Sequence, residues 1–441
     1  MSTPSTALVT AACLHDALEA ARPRRFGRVS ELVGLRLVVQ GVEAAVGDLV
    51  EVTGRSTRLL AEVAASSGQG LVCLPLSHTT GLRVGDRVHA TGEPLRITVG
   101  PALRGRVLDG LGRPIDGGPA LHDGTLVTVD NAAPAALART RVDAQVGLGV
   151  RALDTLIPCG RGQRLGIMAG SGVGKSTLLS MVARGTEASV SVIALIGERG
   201  REVREFLEND LGPDGLARSV VVVATSDAPP VERLRAAFVA TRIAESYRDA
   251  GEDVVLMMDS LTRVAMAQRE VGLAAGEPPA TRGYPPSVFG LLSRLLERAG
   301  PGSTGTITGL YTVLVEGDDL QDPVADTTRS ILDGQVVLSR RLATSGHYPS
   351  IDVLESISRV AGSVTTPEQR ADAAKLRSLL AAHRDVHELV EIGAYAAGSN
   401  PDADRAIALM PAITDFLRQD VEESTGADHA WQRLHDLVSR T

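Results

Sequence analysis

Gly170-Ser171-Gly172-Val173-Gly174-Lys175-Ser176-Thr177 is the stretch of this chain whose residue types carry the clearest chemistry. Its three glycines let consecutive backbone N–H groups turn inward and form a nest for an anion. A helix beginning at the end of such a loop adds its positive N-terminal end. The Lys175 ammonium then reaches the outer phosphates of a triphosphate, and the Ser176 hydroxyl is placed to hold Mg²⁺. The strict pattern has a glycine where this chain has Ala169, at the exit of the preceding apolar run, where a methyl group costs little. Of the 45 basic residues, 43 are Arg and only two, Lys175 and Lys375, are Lys. A chain that uses Arg almost everywhere keeps a compact ammonium where a planar guanidinium would not fit the phosphate cradle.

Two carboxylates follow where such a loop needs them. Val254-Val255-Leu256-Met257-Met258-Asp259 is an apolar run ending in an acid, and beside a phosphate loop that acid positions the metal. Alone the pattern is weak, because many buried strands end in Asp. Ile193-Ala194-Leu195-Ile196-Gly197-Glu198-Arg199-Gly200-Arg201-Glu202 puts Glu198 at the exit of another such run. Hydrolysis needs a group that orients and polarises the attacking water, and a carboxylate does this. Spacing alone leaves a solvated loop carboxylate equally open.

These side chains need strands that end together. From about 142 to 359, apolar runs (164–168, 190–196, 220–224, 254–258, 306–315 and 335–338) alternate with helical patterns (175–184, 231–249 and 288–298). Alternation of this kind predicts a mostly parallel sheet covered on both faces by helices. Residues 27–96 differ: short β-type runs divided by glycines predict a small β-barrel. The Gly- and Pro-rich stretch 105–117 is expected to break regular structure and join two domains. Past Pro367, Ala/Leu/Arg/Glu patterns predict helices. Near the start, Leu8, Val9, Ala12, Leu14 and Leu18 fit a short amphipathic helix, and a frayed terminus fits them equally.

Composition bounds the rest. A chain of 441 residues exceeds one ordinary core, and 44% hydrophobic residues suffice to pack several. A net charge of −8, with both signs interspersed, offers no broad attraction to nucleic acid or acidic lipid. Residues 1–99 hold one aromatic, Phe26, and ten Arg against nine acids, so neither the charge nor the stacking surface of an RNA reader is there. The three cysteines are far apart and read as reduced thiols. No apolar run reaches the length of a membrane span.

Pro349-Ser350-Ile351-Asp352-Val353-Leu354-Glu355-Ser356-Ile357-Ser358-Arg359 resembles the signature of the rotary ATP synthase α/β family. The wording is closer to the type III protein-export ATPases, the flagellar ones especially. The likeness runs from about 29 to 419. It includes Pro278-Pro279-Ala280-Thr281-Arg282-Gly283-Tyr284-Pro285-Pro286-Ser287-Val288-Phe289 and Gly309-Leu310-Tyr311-Thr312-Val313-Leu314-Val315-Glu316-Gly317-Asp318-Asp319.

The resemblance implies an α/β fold with a P-loop (RecA-like) core. Four parts are expected: an extension over 1–26, the barrel over 27–96, the ATPase domain over 97–366 and a helical domain over 367–441. It implies MgATP hydrolysis, with Glu198 as the catalytic carboxylate and Arg199 and Glu202 supporting the metal and water network. Arg263 matches a phosphate-side arginine, Tyr348 the aromatic that stacks on adenine, and Arg359 an arginine finger given to the neighbouring subunit's ATP. Gly170 to Thr177 hold the nucleotide, and Ser176, Asp259 and Glu202 the metal.

One chain carrying both Glu198 and Arg359 needs no second subunit type, and a homohexameric ring is what the resemblance implies. The further expected partners are a regulator dimer at the N-terminus, a coiled-coil stalk protein, an export-gate membrane protein and chaperone–cargo complexes, at the cytoplasmic face of the cell membrane. Gln321-Asp322-Pro323-Val324-Ala325-Asp326 and Glu355-Ser356-Ile357-Ser358-Arg359 read as flagellar. A virulence-type secretion ATPase and a catalytic subunit of a rotary synthase remain the alternatives. An RNA translocase is disfavoured by residues 1–99, and an inactive scaffold subunit by the presence of Lys175 and Glu198.

Overall fold

A computed structural model describes residues 25–315 and 322–439. The helix expected before Arg22, the regulator-binding extension, Glu316 to Asp319 and Gln321 lie outside the described residues. The chain divides into a unit ending at Pro94 and a unit beginning at Leu95.

In the first unit, six strands close an antiparallel barrel in the order β1-β2-β5-β4-β3-β6. They are β1 (Gly27–Val33), β2 (Arg36–Gln40), β3 (Asp48–Thr53), β4 (Arg58–Ser67), β5 (Gly70–Pro75) and β6 (Arg87–Pro94). The two-residue period sends Leu59, Ala61 and Val63 inward from β4, to meet Val29, Leu37, Val39, Val50 and Val52.

The second unit begins with β7 (Arg96–Val99), β8 (Val107–Asp109) and β9 (Thr125–Thr128), of which β7 and β9 pair apart from the main sheet. The main sheet is built from β8 with β10 (Arg164–Ala169), β11 (Val190–Ile196), β12 (Ser219–Ala224), β13 (Asp253–Asp259), β14 (Gly300–Pro301), β15 (Thr306–Leu314), β16 (Gly334–Leu338) and β17 (Ile351–Ser358). Its order is β17-β16-β10-β15-β13-β11-β12-β8, with β14 flanking β15. Every neighbouring pair from β16 to β8 is parallel, and only the edge strand β17 and the short β14 run antiparallel. Strands buried on both faces read as unbroken apolar runs, as β11 and β12 do.

On one face, Ile193, Leu195, Val221, Val223, Val255 and Met257 share a core with Leu178, Leu179 and Val182 of the helix Lys175–Gly185. The helix Pro230–Asp249 packs against β11, β12 and β13 as well.

One feature departs from the sequence expectations. The stretch 105–117 was expected to break regular structure, yet it contributes β8, an edge strand parallel to β12. The Asp109 carboxylate makes this possible by accepting from Leu111 N and Arg113 N, both at 2.9 Å, which closes the turn after the strand. Past residue 366 the chain is helical as expected, with Pro367–Glu391, Pro401–Leu417 and Ala427–Val438. Leu376, Ile413, Phe416, Trp431 and Leu434 join the cluster beneath the phosphate-loop helix. The first of these helices starts on a capping box between Thr366 and Gln369.

Candidate active site

The loop after β10 has the conformation its glycines permit. Gly172 has φ 74° and Gly174, the N-cap of the helix Lys175–Gly185, has φ 95°. Side chains with a Cβ are strained there, so glycine is required for the turn that presents amides at a helix start. Ala169 is the last residue of β10 and pairs with Leu314, and its carbonyl accepts from Val315 N at 3.0 Å. Ala169 is 1% exposed and belongs to the core cluster.

Parallel pairing aligns the strand ends, and this gathers the charged residues. Leu195 of β11 sits opposite Asp259 of β13. Lys175 Nζ donates to Asp259 Oδ1 at 2.5 Å and to Glu198 Oε1 at 3.5 Å. Asp259 is buried, and Thr312 Oγ1 on β15 donates to its Oδ1 at 2.8 Å.

Burial works against the Lys175 ammonium, but the charges and hydrogen bonds of Asp259 and Glu198 outweigh it, so its pKa lies above the ordinary lysine value. Burial pushes the Glu198 carboxyl upward. Lys175 opposes this, while Asp259 and Glu202 reinforce it, and the net displacement is upward. A raised carboxylate is a better proton acceptor near neutral pH than an ordinary glutamate.

Around this centre, Glu202 is the further acid that helps raise the Glu198 carboxyl. Arg199 stands at the rim, four-fifths exposed, and meets Glu202 at 3.5 Å. The stem of Arg263 packs on Gly197, where an added Cβ would lie 3.0 Å from Arg263 Cβ and Cγ. Ser176 is exposed on the first turn of its helix. The Tyr348 ring covers the other side of the loop, with its Cε1 3.2 Å from where a Cβ on Gly174 would sit, and it keeps 40% of its surface exposed.

Arg359 is not brought to this cluster. Its N–H donates to the Asp333 carbonyl at 3.0 Å, and Asp333 N donates to the Arg164 carbonyl at 2.8 Å. Arg359 is therefore level with the beginning of β10, whereas the loop follows its end. Six residues of strand separate the two levels by about 20 Å.

The donor set fits a nucleotide with a hard divalent cation. Amides at a helix start and an ammonium suit phosphate oxygens, and the flat, half-exposed Tyr348 ring suits a base. Among the described residues, no group of three His, Cys, Asp or Glu side chains could hold a metal by itself. A cation such as Mg²⁺, which takes one or two carboxylates and completes its shell with phosphate oxygens and water, suits Asp259, Glu202 and the Ser176 hydroxyl.

Three contributors escaped the sequence reading. Thr312 orients Asp259, Ser350 Oγ donates to the Val173 carbonyl at 2.5 Å, and Arg340 Nη1 donates to the Ser171 carbonyl at 3.2 Å. Ser350 and Thr312 carried a signal only as members of the segments 349–359 and 309–319, and Arg340 carried none. Among the described residues, no helix is long and apolar enough to cross a membrane.

Residues 149–358 match the ATP synthase alpha/beta family, nucleotide-binding domain, and residues 365–436 match the C-terminal domain of the type III secretion ATPase EscN. The flagellum-specific ATP synthase of Bacillus subtilis is 49% identical over 418 residues, covering 94% of this chain and 95% of its own. The type 3 secretion system ATPase of Xanthomonas euvesicatoria is 50% identical over 417 residues, covering 94% of each. Among solved structures, the assembled ATPase EscN from enteropathogenic E. coli superposes with a TM-score of 0.89 at 44% identity, over 93% of this chain and 100% of that one. EscN in complex with its central stalk EscO gives 0.87 at 43%, with the same coverage.

Proposed function

Since this chain belongs to the ATP synthase alpha/beta family, among its flagellum-specific and type 3 secretion ATPases, we propose that it hydrolyses MgATP at Lys175 to drive a type III protein export apparatus. The observation that carries the reading is the meeting of Lys175 with Asp259 at 2.5 Å and Glu198 at 3.5 Å, at the foot of a glycine loop and a helix start.

The amides of residues 170–175 bind the phosphates, and Lys175 neutralises the outer ones. Ser176 and Asp259, with Glu202, would hold Mg²⁺, which when bound would supply charge neutralisation at the transferring phosphoryl group. Glu198 orients the attacking water and accepts its proton, and Glu202 and Arg199 support it. Arg263 stands on the phosphate side, and Tyr348 packs on the base.

The finger is Arg359 of a neighbouring copy, which completes the charge that the first protomer leaves uncovered. A homohexameric ring supplies one such neighbour to every site. The assembled state and the central stalk of EscN support self-assembly and a coiled-coil stalk partner here. The apparatus we assign is flagellar, on the wording of residues 321–326 and 355–359. The type 3 secretion relative matches to the same degree, so virulence export is the second reading. Work at the cytoplasmic face of the cell membrane, with a regulator dimer, an export gate and chaperone–cargo complexes, follows from either.

Turnover per chain measured against protein concentration tests the proposal. It should rise as the protein assembles and vanish when Mg²⁺ is chelated. Turnover that is independent of dilution would remove the shared site. Loss of swimming on deletion of the gene would select the flagellar reading.

A further inference from the structure

Ser350 belongs to the polar segment 349–359, yet it touches no phosphate position and no neighbour in the function above. Ser350 is 2% exposed, and its hydroxyl donates to the Val173 carbonyl at 2.5 Å. A loop that turns its N–H groups toward phosphate turns carbonyls away from it, and those carbonyls need donors elsewhere. Two such donors come from the connection between β16 and β17: Ser350 on Val173, and Arg340 on Ser171 at 3.2 Å.

That connection is itself held from two sides. Ser339 N donates to the Ser350 carbonyl at 2.8 Å, and Gln419 N donates to the Tyr348 carbonyl at 3.0 Å. The Gln419 side chain, 4% exposed, accepts from Arg151 N at 3.0 Å and donates to the Gly149 carbonyl at 2.8 Å. Ser350 therefore reaches the loop from a base anchored both in the sheet and in the chain following the helix Pro401–Leu417.

We infer that Ser350 is a positioning residue for nucleotide turnover: it holds the Val173 peptide so that the adjoining amides face the phosphates. The inference rests on the nucleotide reading of the Lys175 site. Removing the hydroxyl takes away a buried donor and lets the loop settle in other arrangements, and this cost falls on phosphate binding.

The test compares KM for MgATP, kcat and unfolding temperature in the assembled full-length protein for wild type, Ser350→Ala, Ser350→Thr and Lys175→Ala. Ser350→Ala should raise KM about two- to tenfold, the size of one lost hydrogen bond, with a smaller change in kcat. Ser350→Thr, which keeps the hydroxyl, should bring KM back toward wild type. A merely structural role would lower kcat through lost active protein and leave KM unchanged, and that result overturns the inference. If Ser350→Ala does not fold, Ser350→Cys, with the same shape and a weaker donor, is read by the same criterion. Wild type without nucleotide binding removes the site reading and this inference together. Wild-type activity with an unchanged KM in the Ser350 variant removes the inference alone.

Discussion

Arg359 and Lys175 lie at opposite ends of β10. The N–H of Arg359 is bonded to Asp333, beside Arg164 at the strand's start, while Lys175 follows the loop at its end. The cause is the direction of β17, which runs antiparallel to β16 and so delivers its last residues to the far end of the sheet. A guanidinium on a side chain a few ångströms long does not span the roughly 20 Å between them. The same placement leaves Arg359 exposed, with its Nη2 donating to the Arg329 carbonyl at 3.3 Å. It is available to another copy.

Complementation between two dead variants follows. Arg359→Ala and Glu198→Gln should each lose turnover, by several powers of ten if the finger contributes as in other phosphoryl-transfer enzymes. Mixing them lets some interfaces pair an intact Glu198 with an intact Arg359, and part of the activity should return. A mixture as inactive as its components would sink the shared site.

Acid should inhibit at a higher pH than an ordinary glutamate would allow. Glu198 acts as the deprotonated carboxylate, and its pKa is displaced upward, chiefly by burial. Activity is thus present above the displaced pKa and falls as pH drops through it. The acid limb of kcat/KM should lie above the usual carboxylate range. Glu198→Gln should still bind nucleotide with no such limb, whereas Lys175→Ala should lose binding. A limb within the ordinary glutamate range would contradict the assignment.

Thr312→Val removes the hydroxyl that orients Asp259 while keeping the side chain's volume. The Mg²⁺ concentration for half-maximal activity should rise several-fold, consistent with loss of about one hydrogen bond to a charged group. Saturating Mg²⁺ should restore most of the rate. An unchanged Mg²⁺ titration would show that Thr312 does not position the ligand.

Stability depends on an ion pair remote from the site. Arg298 and Glu245 are 2% and 0% exposed, and Arg298 Nε meets Glu245 Oε1 at 2.7 Å. Glu245→Ala leaves a buried guanidinium without its carboxylate and should cost about 3–5 kcal/mol, seen as a lower denaturant midpoint. A midpoint equal to wild type would refute it.

The phosphate loop, Asp259 and Glu198 were legible because their chemistry is local: glycines where φ is positive, an ammonium at a helix start, acids at the ends of apolar runs. The barrel and the parallel sheet showed in the same way, through periods of two residues and the alternation of strand with helix. β8 stayed hidden because three residues carry no periodicity, and their partner, β12, lies more than a hundred positions on. Sequence by itself thus determined which groups this protein has for phosphate chemistry, since residue type sets what a side chain can donate, accept or neutralise. Only the tertiary structure decided which of them meet. Pairing direction and register are long-range choices made by packing, and they bring Thr312 and Ser350 to the site and carry Arg359 away from it.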